Sequence, residues 1–169
     1  KLVEKELENL LNQAYDLSQN EQYTEALVCY EKILKKNPDN VPALIDAGAT
    51  LQNLGNYKKS IIFYDNVLKI NPNNLDALIN KGSALHSLRK FDDAIVLYDK
   101  ALEIDKNCAI ALAYKGLSLG EMNRLHEALE LFKKALEIDK EYDLANLSKK
   151  IAKDELKSKL KQLKRTKTL

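Results

Sequence analysis

Residues Val41–Asn74 read VPALIDAGATLQNLGNYKKSIIFYDNVLKINPNN, and this stretch decides the fold. Apolar residues at helical spacing, among them Leu44 and Leu51, lead to a turn signal at residues 54–57. A second helical stretch follows, and it ends at the segment around Pro72. The pattern predicts one pair of helices joined by a short turn.

The same pattern recurs along the chain at a spacing of 34 residues. One helix pair cannot bury its apolar face alone, so successive copies are expected to stack around a continuous core. The predicted repeats are Leu7–Asn40, Val41–Asn74, Leu75–Cys108 and Ala109–Tyr142. Residues 1–6 are predicted to extend the first helix. Residues 143–169 are predicted to form a C-terminal helix with a basic tail.

Three positions within the repeat indicate how the helices pack. The eighth and twentieth residues are always small, which predicts a close approach between the two helices of a pair. The twenty-fourth residue is always aromatic, and we expect it to fill the space between neighbouring repeats. In chain order the three sets are Ala14, Gly48, Gly82 and Gly116; Ala26, Ser60, Ala94 and Ala128; and Tyr30, Tyr64, Tyr98 and Phe132.

These positions resemble those of the tetratricopeptide repeat family, and the resemblance covers Leu7–Tyr142. It implies an all-α fold, an alpha-alpha superhelix (solenoid) of antiparallel helix pairs. The first helix of each pair would line a concave groove. The amphipathic segment from Asp143 onward would be a capping helix that covers the last repeat.

The resemblance also implies where a partner would bind. In this family the second, fifth, ninth and twelfth residues of a repeat usually face the groove, with the sixth beside them. The residues predicted for a peptide-binding groove are Leu11, Tyr15, Ile45, Asp46, Ala49, Asp76, Ile79, Asn80, Ser83, Ala113, Tyr114 and Leu117. An exposed apolar strip of this kind usually marks a partner site. The alternative is that Leu11 and Ile45 are buried between neighbouring first helices.

The polar residues beside this strip are mostly acidic or neutral, which predicts a scaffold that binds a short apolar, neutral-to-basic peptide segment. Members of the family that bind the acidic C-termini of chaperones use lysine, asparagine and arginine at set positions. Here only Asn80 matches that set, and Asp46 would repel a carboxylate. The sequence therefore argues against the chaperone-binding subclass.

Charge is distributed unevenly along the chain. Residues 149–169 hold nine basic and two acidic residues, a net +7, whereas the rest holds 18 basic and 23 acidic residues, a net −5. Leu156, Leu160 and Leu163 form an apolar stripe in this basic segment, and two interpretations stay open: self-association as a homodimer, or a solvated basic end whose last dozen residues fray. The segment has no aromatic residue to stack on bases, which argues against nucleic acid as a partner.

Other features exclude whole classes of function. No apolar run is long enough for a membrane span, and no catalytic, metal-binding or phosphate-binding motif occurs, so neither an enzyme nor a cofactor is predicted. Cys29 and Cys108 are far apart in a stacked array, so a reducing, cytoplasmic location is expected. The chain begins with Lys1 rather than Met. A regulatory repeat domain taken from a larger protein is therefore the third interpretation.

Overall fold

A computed structural model describes residues 2–167, which fold almost entirely into α-helices. Over this range there are nine helices and no β-strand, so the predicted all-α fold of helix pairs is confirmed. The helices are α1 (Leu2–Gln19), α2 (Tyr23–Lys36), α3 (Val41–Asn53), α4 (Tyr57–Ile70), α5 (Leu75–Ser87), α6 (Phe91–Ile104), α7 (Ala109–Glu121), α8 (Leu125–Ile138) and α9 (Asp143–Lys167).

Contacts between the helices group them into two units. Unit 1, described over residues 2–89, contains α1 to α5, and unit 2, described over residues 90–167, contains α6 to α9. The division falls between the two helices of the third predicted repeat. Within each unit every helix packs on the next one along the chain. First helices also contact each other, because α3 packs on both α1 and α5, and α7 packs on α9.

Asparagine side chains begin two first helices and one second helix of unit 1. Asn40, Asn56 and Asn74 each accept a hydrogen bond through Oδ1 from the backbone N–H three residues later, at 3.0, 3.3 and 2.9 Å. Each bond satisfies an amide group that has no partner inside the helix. Pro42 lies in the first turn of α3, where a missing N–H costs no hydrogen bond.

The turn inside each repeat contains one residue with left-handed backbone geometry. Gly55 has a φ angle of 77°, and Glu21, Arg89 and Asn123 have φ angles of 59°, 60° and 64°. These four residues occupy the same position in successive repeats. Since only one of them is glycine, the other three turns carry the steric cost of a side chain in this region.

Gly48 and Tyr64 in unit 1 explain why the eighth position of the repeat is small. A Cβ atom on Gly48 would lie 2.5 Å from Tyr64 Cε1, closer than real atoms approach. Tyr64 is completely buried and its hydroxyl donates a hydrogen bond to Gln52 Oε1, so the ring is fixed. The ring therefore packs directly on the first helix of its own repeat.

The first aromatic residue of this column, Tyr30, also contacts the next repeat, as predicted. It shares a core cluster with Ala43 and Ala47 of α3. The other fully packed members of this cluster come from the first repeat: Ala14, Ala26, Cys29 and Ile33. A second cluster of Leu44, Val67 and Ala77 continues the core of unit 1 through α4 to α5. Small and large side chains thus alternate through unit 1.

Unit 2 repeats the same arrangement and adds a cap. A Cβ atom on Gly116 would lie 2.6 Å from Phe132 Cε1, so this ring also packs on the first helix of its own repeat. In α9, Ala145, Ser148 and Ala152 are buried, and their spacing of three and four residues places them on one helical face. This face packs on α7 and α8 and covers the core of unit 2.

Two equivalent ion pairs connect the second helix of one repeat to the first helix of the next. In unit 1, Lys81 Nζ lies 2.5 Å from Asp65 Oδ1, and in unit 2, Lys115 Nζ lies 2.6 Å from Asp99 Oδ1. Both pairs span 16 residues and occupy the same repeat positions. Both lysines are largely buried, with 23 and 25 % of the side chain exposed, so each pair is less screened by water than a surface pair.

Candidate functional site

The first-helix face of unit 1 is formed by α1, α3 and α5 and carries nine of the predicted groove residues. Tyr15 is 54 % exposed and Asp76 is exposed. Ile79 is only 7 % exposed and therefore belongs to the interior rather than to an accessible surface. The other six are half-buried: Leu11, Ile45, Asp46, Ala49, Asn80 and Ser83.

The fifth position of the repeat contributes more to the core than the sequence predicted. Leu11 and Ile45 pack against the two core clusters of unit 1, and Ala113 is completely buried in the core of unit 2. Neighbouring first helices are in contact, so a side chain at this position is enclosed between them. The alternative, burial between first helices, describes these residues better than an open apolar strip does.

Three of the predicted residues meet in one cleft of unit 1. Tyr15, Asp46 and Ala49 line a cavity of about 300 Å³ at the junction of α1, α2 and α3, hereafter the unit 1 cleft. Its remaining walls are mainly polar and come from Ser18, Gln19, Glu21, Tyr23, Tyr30, Thr50 and Asn53. Three tyrosine rings, two carboxylates and several hydroxyl groups thus line a space large enough for one long side chain.

Asp46 is an acidic group of this cleft whose pKa is shifted by burial. Removal from water raises the pKa of its carboxyl above the ordinary value of 3.8. Burial also raises the pKa of Tyr64, and the nearby negative charge of Asp46 raises it further. The Asp46 side chain forms no ion pair and accepts no hydrogen bond within residues 2–167. The cleft therefore presents a negative charge without a counter-ion.

Unit 2 carries the last predicted groove residues and a second cleft. Tyr114 is half-buried and packs edge-on against Tyr98, with ring centroids 6.0 Å apart. Leu117 lines a mainly apolar cavity of about 210 Å³ between α7, α8 and α9, hereafter the unit 2 cleft. The other lining residues are Gly116, Gly120, Glu121, Leu125, Ala128, Phe132, Ser148, Ile151, Ala152 and Glu155.

Sequence profiles of the tetratricopeptide repeat match residues 8–40, 29–62, 75–108 and 110–142. Together these matches cover most of the chain, and three of them follow the predicted repeats to within one residue. The chain belongs to the tetratricopeptide repeat family. Proteins of this family generally mediate protein–protein interactions, so the chain is a protein-binding scaffold of helical repeats.

Solved tetratricopeptide repeat structures are similar to the chain over most of its length. A crystal structure of MamA protein has 21 % sequence identity and a TM-score of 0.75, and the match covers 95 % of this chain and 88 % of that one. MamA 41-end from Desulfovibrio magneticus RS-1 has 22 % identity, coverage of 95 % and 96 %, and a TM-score of 0.72. At this identity the likeness supports the fold alone.

A thermophilic tetratricopeptide repeat protein from Thermus thermophilus, TTC0263, is also similar. It has 19 % identity and a TM-score of 0.75, and the match covers 82 % of this chain and 77 % of that one. No curated protein matches the chain by sequence.

This tetratricopeptide repeat chain has features that the sequence reasoning missed. The unit 2 cleft is one, because its walls combine α7 and α9, and no single repeat contains both. A usable signal was the pair Gly116 and Gly120, which leaves one face of α7 without side chains. The buried hydroxyl of Thr50 is another; it donates a hydrogen bond of 2.7 Å to the backbone carbonyl of Asp46.

The apolar stripe predicted on the C-terminal helix lies on a single continuous α9 that ends at Lys167. Leu156 is half-buried, whereas Leu160 and Leu163 are each 58 % exposed. Lys159 Nζ donates a hydrogen bond to Asn123 Oδ1 at the turn between α7 and α8. Apart from Leu156, every side chain from Lys153 to Thr166 is exposed, so the apolar stripe on this part of α9 is accessible.

Neither a metal site nor a membrane span occurs among the described residues. Residues 2–167 contain no group of three or more histidine, cysteine, aspartate or glutamate side chains that could hold a metal ion. None of the helices in this range is both long and apolar enough to cross a membrane. Cys29 and Cys108 are free thiols, the first buried and the second half-buried. The cytoplasmic location stays a prediction.

Proposed function

We propose that this scaffold binds a short, apolar, neutral-to-basic peptide segment on its first-helix faces. The observation that carries the proposal is the unit 1 cleft, where Tyr15, Asp46 and Ala49 converge. An exposed ring offers apolar area at small entropic cost, and a carboxylate without a counter-ion favours a positive or neutral partner.

The unit 2 cleft supports the apolar part of the proposal. Its walls are mainly apolar, and Ile151 at its edge remains 50 % exposed. A few side chains that fill such pockets usually supply most of the affinity of a peptide complex. The predicted groove residues that remain at least partly accessible are Asp76, Asn80 and Ser83 in unit 1, and Tyr114 and Leu117 in unit 2.

The test uses variants of the full chain that remove one accessible apolar side chain from each cleft. A displayed library of random twelve-residue peptides is selected on the full chain, and enriched peptides are titrated by fluorescence anisotropy. We expect apolar peptides with neutral or positive charge, and a loss of at least about tenfold for Tyr15→Ser with Ile151→Ser. Each lost apolar anchor is worth on the order of 1–2 kcal/mol.

The matched control replaces two apolar side chains on second helices, Ile62→Ser with Val96→Ser, which are 58 and 54 % exposed. This variant should bind the selected peptides as the parent chain does, and circular dichroism should show equal helicity for both variants. If the control lost affinity instead, the binding surface would lie on the second helices. If no peptide were enriched, the peptide-binding proposal would be wrong.

A second candidate function is self-association through α9. Leu160 and Leu163 expose an apolar stripe between lysines, while the first-helix face of unit 1 carries Glu8, Asp46 and Asp76. The lysines beside the stripe of one copy and the acidic residues on the face of another therefore carry opposite charges that favour contact.

A further inference from the structure

Asp46 is half-buried, and its carboxylate oxygens reach water rather than a hydrogen-bond donor among the described residues. Thr50 donates to the backbone carbonyl of Asp46 rather than to its side chain, and Tyr64 donates to Gln52. The hydroxyl of Ser18 lies 3.4 Å from that of Thr50, so these two groups share a hydrogen bond. None of these three hydroxyl groups donates to the Asp46 carboxylate.

The charges around Asp46 do not compensate it either. None of the described residues that line the unit 1 cleft is basic, and Glu21 adds a second carboxylate to the rim. The largely buried lysine of unit 1, Lys81, already pairs with Asp65. A partly buried charge without a counter-ion is costly, and a ligand that supplies the opposite charge recovers this cost.

Tyr15 provides the other half of a cation site. Its ring is 54 % exposed and forms one wall of the same cleft as Asp46. Cations bind favourably over the face of an aromatic ring, and a guanidinium group also stacks on it. Asn53 lines the same cleft, and its side-chain oxygen can accept a hydrogen bond from a further N–H group.

We infer that the unit 1 cleft binds one positively charged side chain of the peptide partner, an arginine or a lysine. Asp46 is its counter-ion, Tyr15 covers the aliphatic stem and the charged head, and the cleft of about 300 Å³ admits a single long side chain. This inference rests on the proposed peptide-binding function and makes it specific: the peptide is anchored by one cation in unit 1.

The probe is a pair of peptides that differ only in charge. An acetylated and amidated pentapeptide, Ala-Leu-Arg-Leu-Ala, is compared with the same peptide carrying neutral citrulline in place of arginine. Both are titrated into the ¹⁵N-labelled full chain, and the amide resonances of Tyr15, Ala49 and Asn53 are followed. We expect saturable shifts with the arginine peptide and at least about tenfold weaker binding with citrulline, because the charge-assisted contact is lost.

Substitutions then test the two groups assigned to the cation. Asp46→Asn keeps the size and polarity of the side chain and should weaken arginine binding at least about tenfold, with little change for citrulline. Tyr15→Leu removes the aromatic face and should weaken binding of the arginine peptide more than that of the citrulline peptide. Glu25→Gln removes a carboxylate that is exposed on α2 and does not line the cleft, so it should bind both peptides as the parent chain does.

Three results would overturn the cation site. Equal affinity for the arginine and citrulline peptides would show that charge plays no part. Shifts confined to residues around the unit 2 cleft would place the anchor elsewhere and leave the proposed peptide binding intact. Absence of any shift in either unit at millimolar peptide would overturn the cation site and the peptide-binding function together.

Discussion

The missing side chain of Gly48 sets the distance between α3 and α4. Its backbone touches the buried ring of Tyr64, and Gly116 touches Phe132 in the same way. A glycine inside a helix is unfavourable in itself, by roughly 0.5–1 kcal/mol relative to alanine. At these two positions the close packing of a ring offsets that cost. Gly120 lies in α7 with nothing within 4 Å of an added Cβ, so no such contact restricts it.

The same substitution should therefore have opposite effects at two glycines. Gly48→Ala should lower the free energy of unfolding by about 1–3 kcal/mol, because the new methyl group overlaps a ring that cannot move. Gly120→Ala should raise it by roughly 0.5–1 kcal/mol through helix propensity alone. Urea denaturation of both variants measures the difference. Equal stability of Gly48→Ala and the parent chain would contradict the close packing of Tyr64.

Asp46 should make stability depend on pH in a definite direction. Its pKa is raised above 3.8 in the folded chain by burial, so the folded state holds the proton more tightly than the unfolded state. The contribution of Asp46 to stability is therefore greatest below the unfolded pKa and falls as the pH rises through the folded pKa. Tyr30 on α2 and Tyr64 on α4 face this carboxylate, and both remain protonated through this pH range.

Asp46→Asn should consequently raise the melting temperature at pH 7, and the gain should disappear as the pH approaches 3. Glu25→Gln, which removes an exposed carboxylate on α2, should give no gain at either pH. Thermal melts at several pH values measure both. A gain that did not change with pH would mean that the charge of Asp46 is not the cause. A carboxylate kept at a cost in stability fits a residue retained for binding.

Helices were the features that the sequence predicted best. The 34-residue spacing fixes where each pair begins, and α3, α5, α7 and α9 start at Val41, Leu75, Ala109 and Asp143. Small residues, apolar periodicity and turn signals all act within one repeat, so they can be read locally. Pairings between repeats, such as Lys81 with Asp65, depend on how one helix pair sits on the next.

The candidate site was predicted less completely for the same physical reason. Position within a repeat indicates the direction of a side chain, but its exposure depends on the neighbouring first helix. Ile79 and Ala113 are buried although Tyr15, on the same helical face of its repeat, is open. In α9 the buried face is Ala145, Ser148 and Ala152, whereas the larger Ile151 stays half exposed beside the unit 2 cleft. Small residues mark the packed face there, because α9 lies close to α7 and α8.

The chain as a whole combines an acidic body with a basic C-terminal segment. The nine basic residues from Lys149 onward all lie in α9, and the rest of the chain has a net charge of −5. Opposite charges on separate surfaces favour attraction between copies and set their orientation. Leu160 and Leu163 are exposed among these basic residues, so the surface of α9 also has an apolar centre.

Self-association through α9 predicts a concentration-dependent dimer. Sedimentation velocity of the full chain at micromolar concentrations should give the dimer mass, and Leu160→Ser with Leu163→Ser should give the monomer. Ile62→Ser with Val96→Ser removes equally exposed apolar residues from second helices and should leave the dimer intact. Since part of the attraction is between exposed charges, dimerisation should weaken as salt shortens the screening length from about 10 Å at 0.1 M toward 3 Å at 1 M. Monomer mass for the parent chain across this range would exclude the dimer, and a dimer that persisted in the leucine variant would move the interface away from α9.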